Sequence, residues 1–486
     1  MELVTKGYKP EDALGYFEEI SAIPRASGNE KAVADYICRF AEEHGLEYHR
    51  DDVHNVIVKK PASKGYEDVP PVILQGHTDM VCVKLPECDH DFDKDPIELE
   101  IRDGWLTAKG TTLGADDGVA VAYMLAFLAK EDYVHPALEC VFTSMEEIGL
   151  LGASALDASV LQGRRMINMD GGASEDCDSV VSSAGGQVYD FYRKADLEKV
   201  SGEGVELSIR GLLGGHSAIV MNQGRGNGLK LMARIITAIA KEMNVRISSF
   251  SGGMKMNAIV SASDAVINVP EGRVGEAMAI AGRIGSDIKE ELKISDPGFE
   301  LTMAPKAVDE VMTAECSDAL LHFMELLPDG IHNMSQEMKD LILCSSNVGV
   351  LELLPDGRIH VLDCIRSTDE SLKEALSDRF ETLARLCGFE AVKGTSFGAW
   401  KYDAGSKLRA VCSKVYKDMF GKDMRYTTSH GGLECGELKA KIPDLDIVCM
   451  CPTAREAHTT DEALNLESFG RMYDCLLAVF EELCRR

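Results

Sequence analysis

The chain has 486 residues, 45% hydrophobic and 27% charged, a globular composition too long for one ordinary core, so two or more domains are expected. Its 80 acidic residues outnumber 51 basic ones and leave a formal charge of −29, which excludes nucleic acid and anionic membrane as partners, because both need a basic surface. The 15 cysteines are scattered, odd in number and include no Cys-x-x-Cys pair, so neither a disulfide framework nor a thiolate zinc site is expected. No charged start leads into an apolar core at the N-terminus, and the longest apolar stretch, 119–129, is too short for a bilayer. A reduced, cytoplasmic, unanchored protein is the expectation.

Near the N-terminus, Ser27-Gly28-Asn29-Glu30 reads as a capping box. Val33, Tyr36, Ile37, Phe40 and Ala41 follow at helical spacing, and Gly45 is the stop. Val72-Ile73-Leu74 reads as a strand, 119–129 as a helix apolar on every side, 138–143 as a second strand, and 165–169 as a third that ends at Asp170 before the turn signal Gly171-Gly172. This alternation predicts an α/β fold with a mixed, largely parallel sheet flanked by helices.

From about Gly185 the pattern changes. A strand at 205–210 precedes a helix through Leu229, Met232, Ile236, Ile239 and Met243, and further helices are expected at 274–293, 314–327 and 369–386. A hairpin should turn at Pro355-Asp356-Gly357-Arg358. The later part reads as a weak restatement of the earlier, so 186–395 is expected to be an inserted α+β lid domain with an internal duplication. Residues 1–185 and 396–486 should form one discontinuous catalytic domain. After Lys407 come a helix at 408–420, strands at 425–429 and 446–451 and a last helix at 466–483, and this tail brings His458 back to the first domain.

The chemistry-bearing residues follow the strand-like runs. In open α/β sheets the working groups collect past the carboxyl ends of strands, where His77, Glu146, Glu147 and Asp170 are expected. A lone strand-end histidine would read as a hydrogen-bonded core residue. Asp79, two positions on, suits a second role, because a metal-bound imidazole commonly gives its other N–H to a carboxylate. His77 is therefore read as a ligand and Asp79 as its orienter.

Asp116 and Asp117 sit where a loop enters the apolar helix, and a carboxylate there can bridge two cations. Glu146 and Glu147 point to opposite sides of an extended segment, which lets one take protons and the other bind metal. Together these residues read as a metal-dependent hydrolase.

At Gly76-His77-Thr78-Asp79-Met80-Val81, Gly214-Gly215-His216-Ser217, Cys364-Ile365-Arg366-Ser367 and His430-Gly431-Gly432-Leu433-Glu434-Cys435-Gly436, the chain resembles the aminoacyl-histidine dipeptidase family, also called PepD. That family lies within the co-catalytic di-zinc exopeptidases, and the resemblance runs from Pro24-Arg25 to His458. It implies one metal on His77, Asp116 and Asp170, a second on Asp116, Glu147 and His458, and Glu146 as general base. It implies too that His216 supplies a hydrogen bond to the reacting carbonyl, that Arg366 and Asn257 hold a terminal carboxylate, and that Gly432 lines the substrate's site.

The cofactors implied are two divalent ions, zinc first, with manganese or cobalt as alternatives. The substrate implied is Xaa-His and other dipeptides, with an aminoacylase or tripeptidase as the competing activity and a non-catalytic binding protein as the remote one. A homodimer and a cis Asp116-Asp117 bond are implied as well. One departure stands out: the family's His-Ser-Pro before an acidic residue is His458-Thr459-Thr460-Asp461-Glu462 here, and the missing proline is expected to loosen the turn.

Overall fold

The computed structural model describes residues 3–170, 175 and 178–485, so Gly171 and Gly172 lie outside the described residues. The chain forms two compact units, one from 1–183 and 400–486, the other from 184–399. Both tryptophans, Trp105 and Trp400, belong to the first.

The first unit is built on a six-stranded sheet in the order Glu47–Arg50, Val56–Lys60, Leu138–Thr143, Val72–His77, Arg165–Asn168, Asp446–Cys449. The first two junctions are antiparallel and the other three parallel, so the sheet is mixed and largely parallel. Successive side chains of a strand face opposite sides. Val72 and Leu74 accordingly enter one apolar cluster with Val56, Val58, Phe142 and Ile167, and Ile73 enters another with Ile57, Val141, Met166 and Ile447. With both faces covered, the central strands are apolar over most of their length, as at Val72-Ile73-Leu74 and Cys140-Val141-Phe142.

The helix Ala115–Ala129 fills the first face, and its residues from Gly118 to Leu128 are all buried, which explains why it has no polar side. The helices Glu11–Ser21, Lys31–Glu43, Lys407–Phe420 and Leu466–Cys484 complete that layer. Phe127 stacks on Tyr473 at 4.8 Å and meets Phe480 edge-on at 5.2 Å, fastening the last helix to the central one. A small sheet orders Ala454–Arg455, Ala463–Asn465, Trp105–Ala108 and Leu99–Arg102, and the loop between its first two strands carries His458.

The second unit holds one continuous antiparallel sheet. Its strand order shows a duplication that the sequence only hinted at. The strands Leu197–Arg210, Arg246–Gly253, Ser263–Asn268 and Glu300–Met312, with helices Gly228–Ala240 and Val274–Glu291, follow a β-α-β-β-α-β path with the fourth strand at the edge, then the first, third and second. Gly185–Lys194, Ile342–Leu353, Arg358–Ser367 and Glu390–Phe397, with helices Ala314–Leu326 and Glu370–Leu386, repeat that path and order. The two copies join where Arg246–Gly253 pairs with Ile342–Leu353. One copy is nested inside the other, between its first strand and its first helix.

Two local expectations change. The capping box is not formed: the helix starts at Lys31 without a side-chain cap, Ser27 Oγ donates to Asp79 Oδ2 at 2.7 Å and Glu30 Oε1 accepts from Gly28 N and Met145 N, each at 2.9 Å. Glu30 is 1% exposed, and a buried carboxylate goes where N–H groups would otherwise lack partners. The helix Glu11–Ser21, absent from the sequence reading, packs Leu14, Phe17 and Ile20 into the core.

Gly76 marks the tightest backbone approach beside His77. A Cβ there would lie 2.2 Å from Ala120 Cβ and 2.3 Å from Asp117 Oδ2. Gly76→Ala should therefore cost about 1 to 3 kcal/mol by overpacking, read from tryptophan fluorescence in urea. Gly275→Ala, whose Cβ meets nothing within 4 Å, should leave stability unchanged or slightly raised; equal losses would contradict the packing argument.

Candidate active site

Three parallel strands deliver the first residues of the site at their carboxyl ends. His77 is the last residue of Val72–His77, Glu146 and Glu147 follow Leu138–Thr143 after a short bend, and Asp170 follows Arg165–Asn168. Asp116 stands at the entrance of Ala115–Ala129, where it and Asp117 depart from helical geometry and share a cis peptide bond. His458 arrives from the hairpin loop with φ 65°.

His77 is 1% exposed. Its Nε2 lies 3.0 Å from Asp116 Oδ1, and its Nδ1 lies 3.1 Å from the Asp79 carbonyl and 3.4 Å from Asp79 Oδ1. The orienting contact on Nδ1 is thus shared between backbone and carboxylate, with the backbone closer. The second oxygen of Asp116 faces His458 Nε2 at 3.2 Å, and Glu147 Oε1 approaches the same nitrogen at 3.0 Å. Asp116 therefore presents one oxygen to each imidazole.

Ligand atoms of His77, Asp116 and Asp170 lie within 4.8 Å of one another, as do those of Asp116, Glu147 and His458, and those of His77, Glu146 and Glu147. Seven residues singled out in the sequence, His77, Asp79, Asp116, Glu146, Glu147, Asp170 and His458, are brought together in the first unit. His216 and Asn257 meet in the second unit, where Asn257 Nδ2 is 3.2 Å from His216 Nε2. Arg366 is buried on Arg358–Ser367 of that unit, and its charge, after burial, lowers the His216 pKa. Gly432 lies in the loop before the helix Glu434–Lys441 of the first unit.

The electrostatics are those of crowded acids. Burial, followed by the charge of Asp116, raises the Asp170 pKa to about 8, and burial pushes Glu146 well above the carboxylate range. Burial acts on Asp79 in the same direction, but His77, Ser27 and the Glu146 amide overcome it and bring Asp79 down to about 2. His77 is pushed well up because Asp116 and Asp79 outweigh its burial. Glu147 Oε1 is buried, with His458 Nε2 3.0 Å away. Carboxylate and imidazole donors crowded this way suit divalent cations, which relieve the repulsion that otherwise keeps protons in place.

Several buried charges had no role in the sequence reading. Arg25 donates to the carbonyls of Thr78 and Asp79 at 3.1 Å each and to that of Gly114 at 2.5 Å, tying the His77 and Asp116 loops together. Glu434, fully buried, accepts from Gln75 Nε2 and Thr143 Oγ1 at 2.6 Å each, and burial raises its pKa to about 7. Glu462, four positions beyond His458, is 3% exposed and turned toward the Asp116 loop. Arg25 and Glu434 lie within stretches that carried the resemblance; the burial of a single charged side chain, which decides their roles, leaves no periodic mark in a sequence.

The model of the peptidase family M20/M25/M40 matches residues 73–482. The chain belongs to this family. It is 33% identical over 477 residues to the cytosol non-specific dipeptidase of Escherichia coli K12, covering 98% of both chains. It is similar, at 30% identity and a TM-score of 0.89, to the crystal structure of aminoacylhistidine dipeptidase from Vibrio alginolyticus, covering 98% of this chain and 97% of that one. An aminopeptidase from Bacillus cereus, 16% identical with a TM-score of 0.56 over 98% and 100% of the two chains, shares the fold. Family and fold class agree with the resemblance drawn from the motifs.

The raised Asp170 pKa has a measurable consequence in metal-stripped protein. An unfolded aspartate loses its proton near 3.8 and the folded one near 8, so between these values unfolding releases a proton and stability falls as pH rises. Asp170→Asn should remove this contribution. Melting curves of the metal-stripped pair should diverge from pH 4 to 8, the wild type declining relative to the variant; parallel curves would contradict the assignment.

Proposed function

We propose that this member of the M20/M25/M40 family is a dipeptidase, acting on Xaa-His and other dipeptides with two divalent ions held at the cluster in the first unit. The observation that carries this is the sharing of Asp116 between two ligand groups, His77 with Asp170 on one side and Glu147 with His458 on the other. The names of the Escherichia coli and Vibrio relatives support the substrate class. Zinc is the first choice of ion, with manganese or cobalt compatible with the same donors. A cytoplasmic location and a homodimer belong to the proposal, the first supported by the name of the Escherichia coli relative. No helix among the described residues is long and apolar enough to cross a membrane.

Bound divalent ions would supply Lewis-acid activation of a water molecule and of the scissile carbonyl. Glu146, made basic by burial, takes the proton of the attacking water and passes it to the leaving amine. Asp79 holds two things at once: its oxygens accept the Glu146 and Glu147 amides at 3.0 and 3.2 Å while its residue fixes His77 Nδ1. The orientation of a ligand and of the base thus depends on one residue, through its backbone carbonyl and its carboxylate. His216 is assigned to the oxygen charge that develops at the carbonyl, and Arg366 with Asn257 to the terminal carboxylate. Gly432 is assigned to the lining of the substrate's site.

Glu146→Gln should lower kcat by about 10² to 10⁴ with both ions still present by elemental analysis, whereas Glu147→Ala should lose one ion. Loss of both ions from Glu146→Gln would contradict its role as base. A panel of dipeptides, tripeptides and N-acyl amino acids tests the substrate class, with dipeptides expected to be cleaved fastest; preference for N-acyl amino acids would replace the dipeptidase reading by an aminoacylase.

A further inference from the structure

The loop that carries His458 is anchored at Glu462. Glu462 Oε2 accepts the backbone N–H groups of Leu113 at 2.8 Å and Gly114 at 2.9 Å, and Oε1 accepts those of Ala115 at 2.8 Å and Asp116 at 3.2 Å. One carboxylate thus closes four consecutive amides at the start of the helix whose second residue is Asp116. Gly114, at φ 72°, turns the run into a concave nest that favours an anion. The Glu462 carboxylate is held in turn, because the next residue pairs into a sheet: Ala463 opposes Thr107 and Arg455, and Leu464 opposes Leu106 and Ala454.

His458 sits in the loop of that hairpin, 49% exposed at its side chain and with positive φ. Within the loop its supports are short turns, Thr459 N to Glu456 O at 3.2 Å and Glu462 N to Thr459 O at 3.2 Å. The firm anchor is at Glu462, and what it grips is the loop of Asp116, whose Oδ2 faces His458 Nε2 at 3.2 Å. We propose that Glu462 is a positioning residue that sets the spacing between Asp116 and His458 and so completes the second metal position. This rests on the two-ion reading above.

The test uses the full chain, stripped of metal and titrated with Zn²⁺ by calorimetry, comparing wild type, Glu462→Gln and Glu139→Gln. A glutamine at 462 keeps the size but turns an N–H₂ group toward amides that need an acceptor. Glu139 is a matched control: it is 4% exposed and accepts the Gln162 and Gly163 amides, with no part in the metal cluster. Glu462→Gln should weaken one of the two zinc equivalents by about 10- to 100-fold, and excess zinc should restore hydrolysis. Glu139→Gln should lower the melting temperature and leave both zinc affinities unchanged. Two unchanged affinities in Glu462→Gln, or equal weakening in both variants, would overturn the role of Glu462. Fewer than two zinc equivalents in the wild type would overturn the two-ion reading itself, and with it this proposal.

Discussion

The site rests on carboxylates that accept backbone N–H groups. The loops past the strand ends have no ladder to satisfy their amides, and a buried amide left without a partner costs about 1 to 3 kcal/mol. Four successive amides after Leu138–Thr143 are taken by Asn55, Glu30 and Asp79: Ser144 N at 3.0 Å, Met145 N at 2.9 Å, Glu146 N at 3.0 Å and Glu147 N at 3.2 Å. Four more, from Leu113 to Asp116, are taken by Glu462. The bends that aim Glu146, Glu147 and Asp116 inward are the bends these side chains close. Loop conformation and ligand geometry are therefore one constraint, and a change in any of these side chains moves both.

A backbone pairing explains how the chain can interrupt itself. It leaves the first unit at Ser183 and returns at Trp400, and these two residues pair by backbone hydrogen bonds of 2.9 and 3.0 Å. Exit and entry lie side by side, so an insert closes on itself without separating the strands it interrupts, as domain insertions generally require. The insert repeats the device within itself, one β-α-β-β-α-β copy nested between the first strand and first helix of the other. Apolar cores follow the division: Phe191, Phe323 and Phe380 pack in the second unit without any residue of the sheet that bears His77.

Most of this fold was legible because its elements are long and their burial is one-sided or complete. Val72–His77, Leu138–Thr143 and residues 118–128 are buried throughout, and such elements are written as mostly apolar runs. His77 and Asp170 were legible because such runs end at them. The nested duplication was only faintly so, since topology is set by strand pairing and the two copies share an order rather than residues. Ser27 and Glu30 misled for a physical reason: the capping-box pattern is local, and both side chains answer to distant groups, Asp79 and Met145. In the sequence Glu462 reads only as part of an altered turn, because its partners lie some 350 positions away.

The cluster is uneven, and the unevenness follows from where its ligands come from. His77 and Asp170, delivered by interior strands, are 1% and 5% exposed, so their side chains are fixed by packing before any ion is considered. His458 comes from a hairpin loop, half exposed and with positive φ, and ordering an exposed side chain carries an entropic cost that packing does not offset there. Asp116 belongs to both halves and feels both regimes: one oxygen faces a buried imidazole, the other an exposed one. Order must then pass from the interior to the loop through Asp116, and the four amides around it are the place where the backbone is held firmly enough to carry it.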